Sequence, residues 1–300
     1  MFVSLVKNKK LWIIGIFVAL FIGWGSGFLT GWWAIKGSLG KFPPVDASTR
    51  LLVIAPHPDD EVLSSGGLIQ TILTAGGKVK IVFLTNGDGS RSSVVTEYKK
   101  ADLSPEEFLA LGTQRIGEAE NADKILGLSE NDLVFLGFPD GGLSKLRSGK
   151  VTSVSTHFDH VPYTQSYKPS QDYSEENLVN DLKEIIIDFN PTLVITTHPK
   201  DHHPDHQAAY QFAVMVKQEL STIWPIYASL VHYKNYPPEG GYLFPPKKLF
   251  GGGWLSFEAS VAEKIKELSA IKEYKSQYTV PMEAGFFNKL ISTNEIFEVE

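Results

Sequence analysis

Two apolar, β-branched stretches of this chain run almost directly into clusters of histidines and carboxylates, and that pairing constrains the fold more than any other feature. Arg50-Leu-Leu-Val-Ile-Ala55 leads into Pro56-His-Pro-Asp-Asp-Glu61, and Thr192 to Thr196 leads into His198-Pro-Lys-Asp-His-His-Pro-Asp-His206. A continuous apolar run of this kind reads as a strand buried on both faces, the mark of a parallel sheet covered by helices. In open sheets of that type the reacting groups gather at the carboxyl ends of the strands. Both clusters stand at such an end, so they are expected to meet in one cleft.

The segments between and after them keep the same rhythm. Val62 to Ala75 has helical spacing and stops at Gly76-Gly77. Lys78 to Leu84 reads as a strand, and Ser104-Pro-Glu-Glu107 caps a helix that runs to Leu126 and stops at Gly127. Leu133 to Leu136 is a short strand, and residues 137 to 171 form a long aperiodic loop of the kind that is often functional. Ser174-Glu-Glu176 caps a helix to Phe189; Pro204 to Leu220 is helical, Ile226 to Tyr233 a strand, and Ser256 to Tyr274 a last amphipathic helix. Alternation of this kind predicts a Rossmann-like three-layer α/β/α domain with a mostly parallel sheet over residues 50–300.

Ahead of it, Leu11 to Ile35 contains no charged residue and is long enough to cross a hydrocarbon core of roughly 30 Å. Trp12, Trp32 and Trp33 lie near its ends, as interfacial rings do. It reads as a single spanning signal-anchor helix within residues 1–36, followed by a Gly/Pro linker over 37–49. Lys7, Lys9 and Lys10 place the N-terminus in the cytoplasm and the domain outside by the positive-inside rule, which makes the membrane an expected partner.

Composition excludes several chemistries. There is no cysteine, so disulfides, thiolate metal sites and cysteine nucleophiles are ruled out, and any metal must sit on His, Asp or Glu. Five of the 28 Lys and Arg fall within residues 1–41, leaving 23 basic against 34 acidic residues beyond it. Such an acidic balance argues against a nucleic-acid partner, because phosphate binding needs clustered Lys and Arg. Oligomeric state is not legible.

Five of the eight histidines fall in the two clusters, more than turn or cap duty requires. A hydrolytic Zn²⁺ site takes three N/O ligands and leaves one position open. His57, Asp60 and His206 are able to supply such a His₂Asp set, although the set also suits other divalent transition metals. Asp59, beside a ligand but not one itself, is then well placed to accept a proton from water.

The motifs His57-Pro-Asp-Asp60-Glu61 and His203-Pro-Asp-His206 resemble the two signatures of the PIG-L/LmbE-like family of zinc-dependent N-acetylglucosaminyl deacetylases. Gly66-Gly67, Thr85-Asn-Gly-Asp88, Arg115-Ile-Gly-Glu118, Leu136-Gly-Phe-Pro-Asp-Gly-Gly142 and Lys275-Ser-Gln277 resemble further family patterns in the same order. The resemblance implies Zn²⁺ on His57, Asp60 and His206, with Asp59 as general base. It further implies that His203 polarises the amide oxygen or protonates the leaving amine, that Asp205 orients a histidine, and that Asp88, Arg115 and Asp140 contact the sugar. Asp201 departs from the aromatic used by some members, and His198 and His202 are extra. The implied activity is removal of an N-acyl group, acetyl above all, from an amino sugar or glycoconjugate. Cleavage of larger acyl or thiol-conjugated amides, and a non-catalytic sugar-binding module, are the alternatives. Tyr236, Tyr242, Phe244, Phe250 and Trp254 are candidate rings for stacking on a sugar.

Overall fold

Strand β2 (Arg50–Ala55) forms where the sequence is most uniformly apolar, and Leu51 to Ala55 are each at most 1% exposed. It runs parallel to β3 (Lys78–Thr85) on one side and to β5 (Leu193–Thr197) on the other, with Leu51 opposite both Val79 and Leu193. Beyond β3 lies β4 (Leu133–Phe138) and beyond β5 lies β6 (Ile226–Ser229), both again parallel. Two antiparallel strands, β7 (Trp254–Glu258) and β8 (Asn294–Val299), and a two-residue β1 (Gly40–Lys41) complete the sheet in the order β1-β7-β8-β6-β5-β2-β3-β4. The computed structural model describes residues 39–100, 102–238 and 241–299. Its chain divides at Gly40 into Met1–Gly40 and the compact unit Lys41–Glu300, which carries every residue of the site.

The helices begin where local chemistry satisfies their first N–H groups. α3 (Pro105–Leu126) opens with a Ser104/Glu107 capping box and Pro105, and ends at Gly127 in the left-handed region with φ 106°. α4 (Glu175–Phe189) is capped by Ser174, whose hydroxyl accepts from the Asn177 amide. α1 (Asp60–Thr74), α2 (Arg91–Tyr98), α5 (Pro204–Glu219), α6 (Val261–Ile271), α7 (Lys275–Tyr278) and α8 (Pro281–Leu290) complete the set among the described residues. Leu52, Ile54, Val82 and Leu84 pack against Leu182 and Ile186 of α4 and Ala209 and Phe212 of α5 in one core. The alternate side chains of the same strands face the opposite layer, where α1 packs with α3 and α6.

The structure departs from expectation at three points. The sheet, parallel through β4, β3, β2, β5 and β6 as expected, has a mixed outer edge that was not expected, because Asn294-Glu-Ile-Phe-Glu-Val299 inserts between β6 and β7 antiparallel to both. The segment expected as one helix from Ser256 to Tyr274 splits: Trp254–Glu258 is a strand, and a Ser260/Glu263 capping box starts α6 only at Val261. Finally, no helix among the described residues is long and apolar enough to cross a membrane. The longest of them, α3, carries Glu106, Glu107, Arg115, Glu118, Glu120, Asp123 and Lys124, which a hydrocarbon core would exclude. This corrects the expected spanning helix and the outward placement of the domain, and leaves the membrane as a partner without support among the described residues. Leu11 to Ile35 itself lies outside the described residues.

α1, which carries Asp60, is held closely from outside. The buried carboxylate of Glu295 on β8 accepts from the amides of Gly67 and Leu68 at 2.6 and 3.2 Å. A Cβ on Gly67 would lie 2.7 Å from the Cβ of Ala259 and 2.8 Å from Glu295 Oε1, closer than van der Waals contact allows. Gly67→Ala, which gains about 1 kcal/mol in an unobstructed helix, is therefore expected here to destabilise the chain by about 1–3 kcal/mol through overpacking. Urea unfolding of the purified variant is the check, and a stabilised variant would show that this contact is soft.

Candidate metal and catalytic site

Because β2 and β5 are neighbours running the same way, the turns that follow them lie side by side. His57, Asp59 and Asp60 come from the first turn and His203, Asp205 and His206 from the second, at the start of α5. All six are buried or half-buried. Asp60 Oδ2 lies between two imidazoles, 3.2 Å from His57 Nδ1 and 3.3 Å from His206 Nε2. The ring centroids of His57, His203 and His206 are separated by 4.8, 4.9 and 5.3 Å.

The far nitrogens of the two flanking histidines face carboxylates. His57 Nε2 is 3.2 Å from Asp140 Oδ1 and 3.5 Å from Asp205 Oδ2, and His206 Nδ1 is 3.3 Å from Asp201 Oδ2. Metal-bound histidines are ordinarily held in this way, one nitrogen toward the ion and the other toward an anionic acceptor. His57 Nε2 and both ring nitrogens of His206 are buried, yet make no aligned hydrogen bond among the described residues. Buried polar atoms left so are rare unless something else binds them. Of these, His206 Nε2 stands on the Asp60 side, and it fits a divalent ion that takes nitrogen and oxygen ligands. Among the described residues two other triplets, His57/His203/His206 and His57/Asp140/Asp205, are the ones whose donor atoms all lie within 4.8 Å of one another, and Asp60 belongs to neither. In the first, His203 Nδ1 is already occupied, accepting from the Asp205 amide at 3.2 Å as the N-cap of α5. In the second, the Asp205 carboxylate is taken up by the amides of Gly141 and Leu143, and Asp140 Oδ2 by that of Gly89. The Asp60-centred set is the one in which both histidines face a carboxylate on their outer side.

Two adjacent carboxylates meet opposite electrostatic fates. Burial opposes charge on Asp60, but the flanking His206 and His57 outweigh it and hold its pKa well below the usual carboxylate range. For Asp59 burial prevails over the nearby Arg115 and pushes the pKa well up. His206 is lifted to about 9, since Asp60 and Asp201 outweigh its burial. Burial, followed by the positive character of His57 and His206, pushes His203 down to about 4, so it is neutral near pH 7. With Nδ1 accepting, a neutral His203 carries its proton on Nε2, as a donor.

Asp59 is also strained, with φ 123° in a region that L-residues rarely adopt. Its carboxylate is gripped by Arg115 Nη2 at 2.9 Å, and the same guanidinium donates to the carbonyls of Pro58 and Gly87. Arg115, 3% exposed, thus turns both terminal nitrogens to partners within the protein, while its buried Nε makes no hydrogen bond among the described residues, and the residue borders the cavity. That cavity, of about 480 Å³, opens over His57, Asp59, Asp140 and His203. Asp140 lies on its wall; Asp88 does not, being buried with its carboxylate accepting from Tyr163 Oη at 2.6 Å. Asp205 pins the 141–143 loop and faces His57, not His203.

Other candidates fall elsewhere. His198 bonds Glu298 at 2.6 Å and stacks on Trp254, and His202 packs on Tyr233. Tyr236, Tyr242 and Trp254 are buried and do not border the cavity, which corrects their reading as sugar-stacking rings. Two residues went unrecognised. Asp201, passed over as a departure, accepts from the amides of His203, Val231 and His232 while facing His206. His232 borders the cavity, with its ring 5.0 Å from that of His206 and stacked on Phe286. Its position just past β6 was the signal, since strand ends collect reactive groups.

Comparison with known proteins identifies the family of the chain. The family model PIG-L, described as GlcNAc-PI de-N-acetylase, matches residues 52–217. The chain is 28% identical over 200 residues to a 1D-myo-inositol 2-acetamido-2-deoxy-alpha-D-glucopyranoside deacetylase of Streptomyces avermitilis, covering 63% of this chain and 62% of that protein. It is 34% identical over 165 residues to the enzyme of the same name from Corynebacterium efficiens, covering 54% and 47%. The chain thus spans less than two thirds of these relatives. Among solved structures, the fold is similar to a deacetylase of the teicoplanin pathway, with TM-score 0.58 and 19% identity, covering 84% of this chain and 97% of that one. It is also similar to the N,N'-diacetylchitobiose deacetylase of Pyrococcus horikoshii, with TM-score 0.51, 19% identity and 84% coverage of each chain.

Asp201→Asn keeps the shape but removes the charge opposite His206 Nδ1. Loss of such an outer carboxylate is expected to weaken Zn²⁺ binding about 10–100-fold. Competition against a chromophoric chelator measures it, and unchanged affinity would remove His206 from the ligand set.

Proposed function

The chain belongs to the PIG-L family, and on that premise we propose that it hydrolyses the N-acetyl amide of an amino sugar or glycoconjugate, releasing acetate and a free amine. One observation carries the proposal: beside the Asp60-centred donor set stands a second carboxylate, Asp59, buried yet bordering the cavity. The names of the curated relatives, deacetylases of a 2-acetamido sugar, support the same reaction and substrate class.

His57, Asp60 and His206 would hold the ion, for which Zn²⁺ is the proposal because it accepts His₂Asp and keeps an open position. The ion, when bound, supplies Lewis acidity that lowers the pKa of a water and polarises a carbonyl. Asp59 takes the proton of the attacking water. Its burial favours that role, since a carboxylate raised toward neutrality is a stronger base than a solvated one. As water oxygen bonds to the amide carbon, negative charge gathers on the carbonyl oxygen, where the Nε2 proton of neutral His203 stabilises it. The proton held on Asp59 then passes to the nitrogen as the C–N bond breaks and the carbonyl re-forms, so acetic acid and amine leave; the proton left on the acid goes to the amine, which gives acetate and ammonium with atoms and charge balanced. Asp140 on the cavity wall and the adjoining Gly89 and Ser90 are placed to meet sugar hydroxyls. Arg115, with its terminal nitrogens turned to Asp59, Pro58 and Gly87, serves the base before it serves the sugar.

Acetate release from N-acetylglucosaminides, alongside N-acyl analogues of greater length, is the test. Asp59→Asn is expected to lower kcat about 10²–10⁴-fold, the range of a lost general base. His206→Ala is expected to lose bound metal together with activity, and chelator-treated wild-type chain to regain turnover when Zn²⁺ is returned. Near wild-type acetate release by either variant would refute the proposal, and preference for a long acyl chain would refute its acetyl specificity.

A further inference from the structure

The base in this site is held from two directions, and one of them extends beyond the residues matched by the family model. From one side Arg115 grips the Asp59 carboxylate. From the other, the Asp59 backbone N–H donates to Glu61 Oε2 at 3.0 Å, and Glu61 Oε1 accepts from the Tyr274 hydroxyl. Glu61 and Tyr274 are both fully buried. Tyr274 sits between α6 and α7 in a turn bolted to the rest of the site. The Ser276 amide and hydroxyl donate to Glu118 of α3 at 2.8 and 2.6 Å, one turn from Arg115, and Gln277 Nε2 donates to Ser93 Oγ at 2.7 Å. Gln277 borders the cavity.

Strain explains why such fastening is needed. A non-glycine residue at φ 123° carries a conformational cost that persists only when its surroundings over-determine it. Asp59 also leads directly into α1, and its carbonyl accepts from the Leu63 amide, so relaxation of the peptide would swing the carboxylate relative to Asp60. The hydrogen bond from its N–H to Glu61 opposes that relaxation, and Tyr274 keeps Glu61 aimed.

We infer that Glu61 and Tyr274 are positioning residues that fix the general base through its backbone amide, so that the turn at residues 274–277, beyond residues 52–217, belongs to the catalytic apparatus. The inference rests on the reading of Asp59 as the base. A displaced base slows the chemical step and leaves substrate and ion binding as they were, which separates positioning from a general role in folding.

The experiment uses the full chain loaded with Zn²⁺ and compares Tyr274→Phe, Glu61→Ala and Glu61→Gln with wild type, reading kcat and KM for acetate release and bound zinc by elemental analysis. Tyr274→Phe removes one hydroxyl and is expected to lower kcat about 10-fold, with KM within about twofold and zinc unchanged. Glu61→Ala is expected to lower kcat further, and Glu61→Gln, whose amide oxygen still accepts from Asp59 N–H, to recover most of the loss. Wild-type kcat in Tyr274→Phe, or a loss confined to KM, overturns the inference. Should Glu61→Ala fail to fold, Tyr274→Phe decides alone. Native-state hydrogen exchange of the Asp59 amide supplies a readout independent of turnover: faster exchange in Tyr274→Phe supports the inference, and equal protection overturns it. If the wild-type chain released no acetate, the functional proposal would fail while this exchange comparison still decided the positioning.

Discussion

The parallel pairing of β2 with β5 is the constraint on which the site depends. Its register, Leu51 with Leu193 through Ile54 with Thr196, brings the turn at 57–60 beside the turn at 198–206 although about half the chain's length separates them in sequence. Both strands are buried on both faces, so a slip of one residue would turn every core side chain the wrong way. Hydrophobic burial thereby sets the distance between two polar clusters. The 3.2 and 3.3 Å approaches of His57 and His206 to one oxygen of Asp60 are a consequence of that register.

On this frame the electrostatics follow a division of labour. Each flanking histidine faces a carboxylate on its outer side, Asp140 and Asp205 for His57 and Asp201 for His206. Asp60 and Asp59, neighbours in sequence, are driven apart, the first downward between imidazoles and the second upward by burial that Arg115 only partly offsets. Separation of two adjacent carboxyl groups by environment is how one site obtains both an anionic ligand and a proton acceptor. The cost appears as the positive φ of Asp59, restrained by Arg115 at the side chain and Glu61 at the amide.

Much of the framework was readable because its signals are local. Ser104 with Pro105 and Glu107, and Ser174 ahead of Glu175, announce helix starts through their own side-chain chemistry, and α3 and α4 begin where those residues stand. The outer sheet was harder. β7 hides in a segment whose spacing also suits a helix, and β8 pairs antiparallel with strands distant in sequence, a choice that no local pattern records. The strand expected to reach Tyr233 ends at Ser229, because the amides of Val231 and His232 turn to the Asp201 carboxylate. Likewise Tyr236, Tyr242 and Trp254, three of the aromatic residues proposed to stack on sugar, are taken into the protein's own packing, Trp254 against His198.

The sequence by itself determined that two histidine and carboxylate clusters terminate buried strands, that no thiol chemistry is available, and that the motifs are those of the PIG-L family, since each of these is a property of residue type and short spacing. Only the tertiary structure decided what each group touches: that Arg115 serves Asp59, that Asp88 turns to Tyr163, that Asp205 faces His57, and that Tyr274 reaches Glu61. The physical reason is that strand-end placement follows from burial of apolar runs, which are contiguous in sequence. The direction of a polar side chain follows from partners on other elements, whose nearness exists only once the sheet has formed.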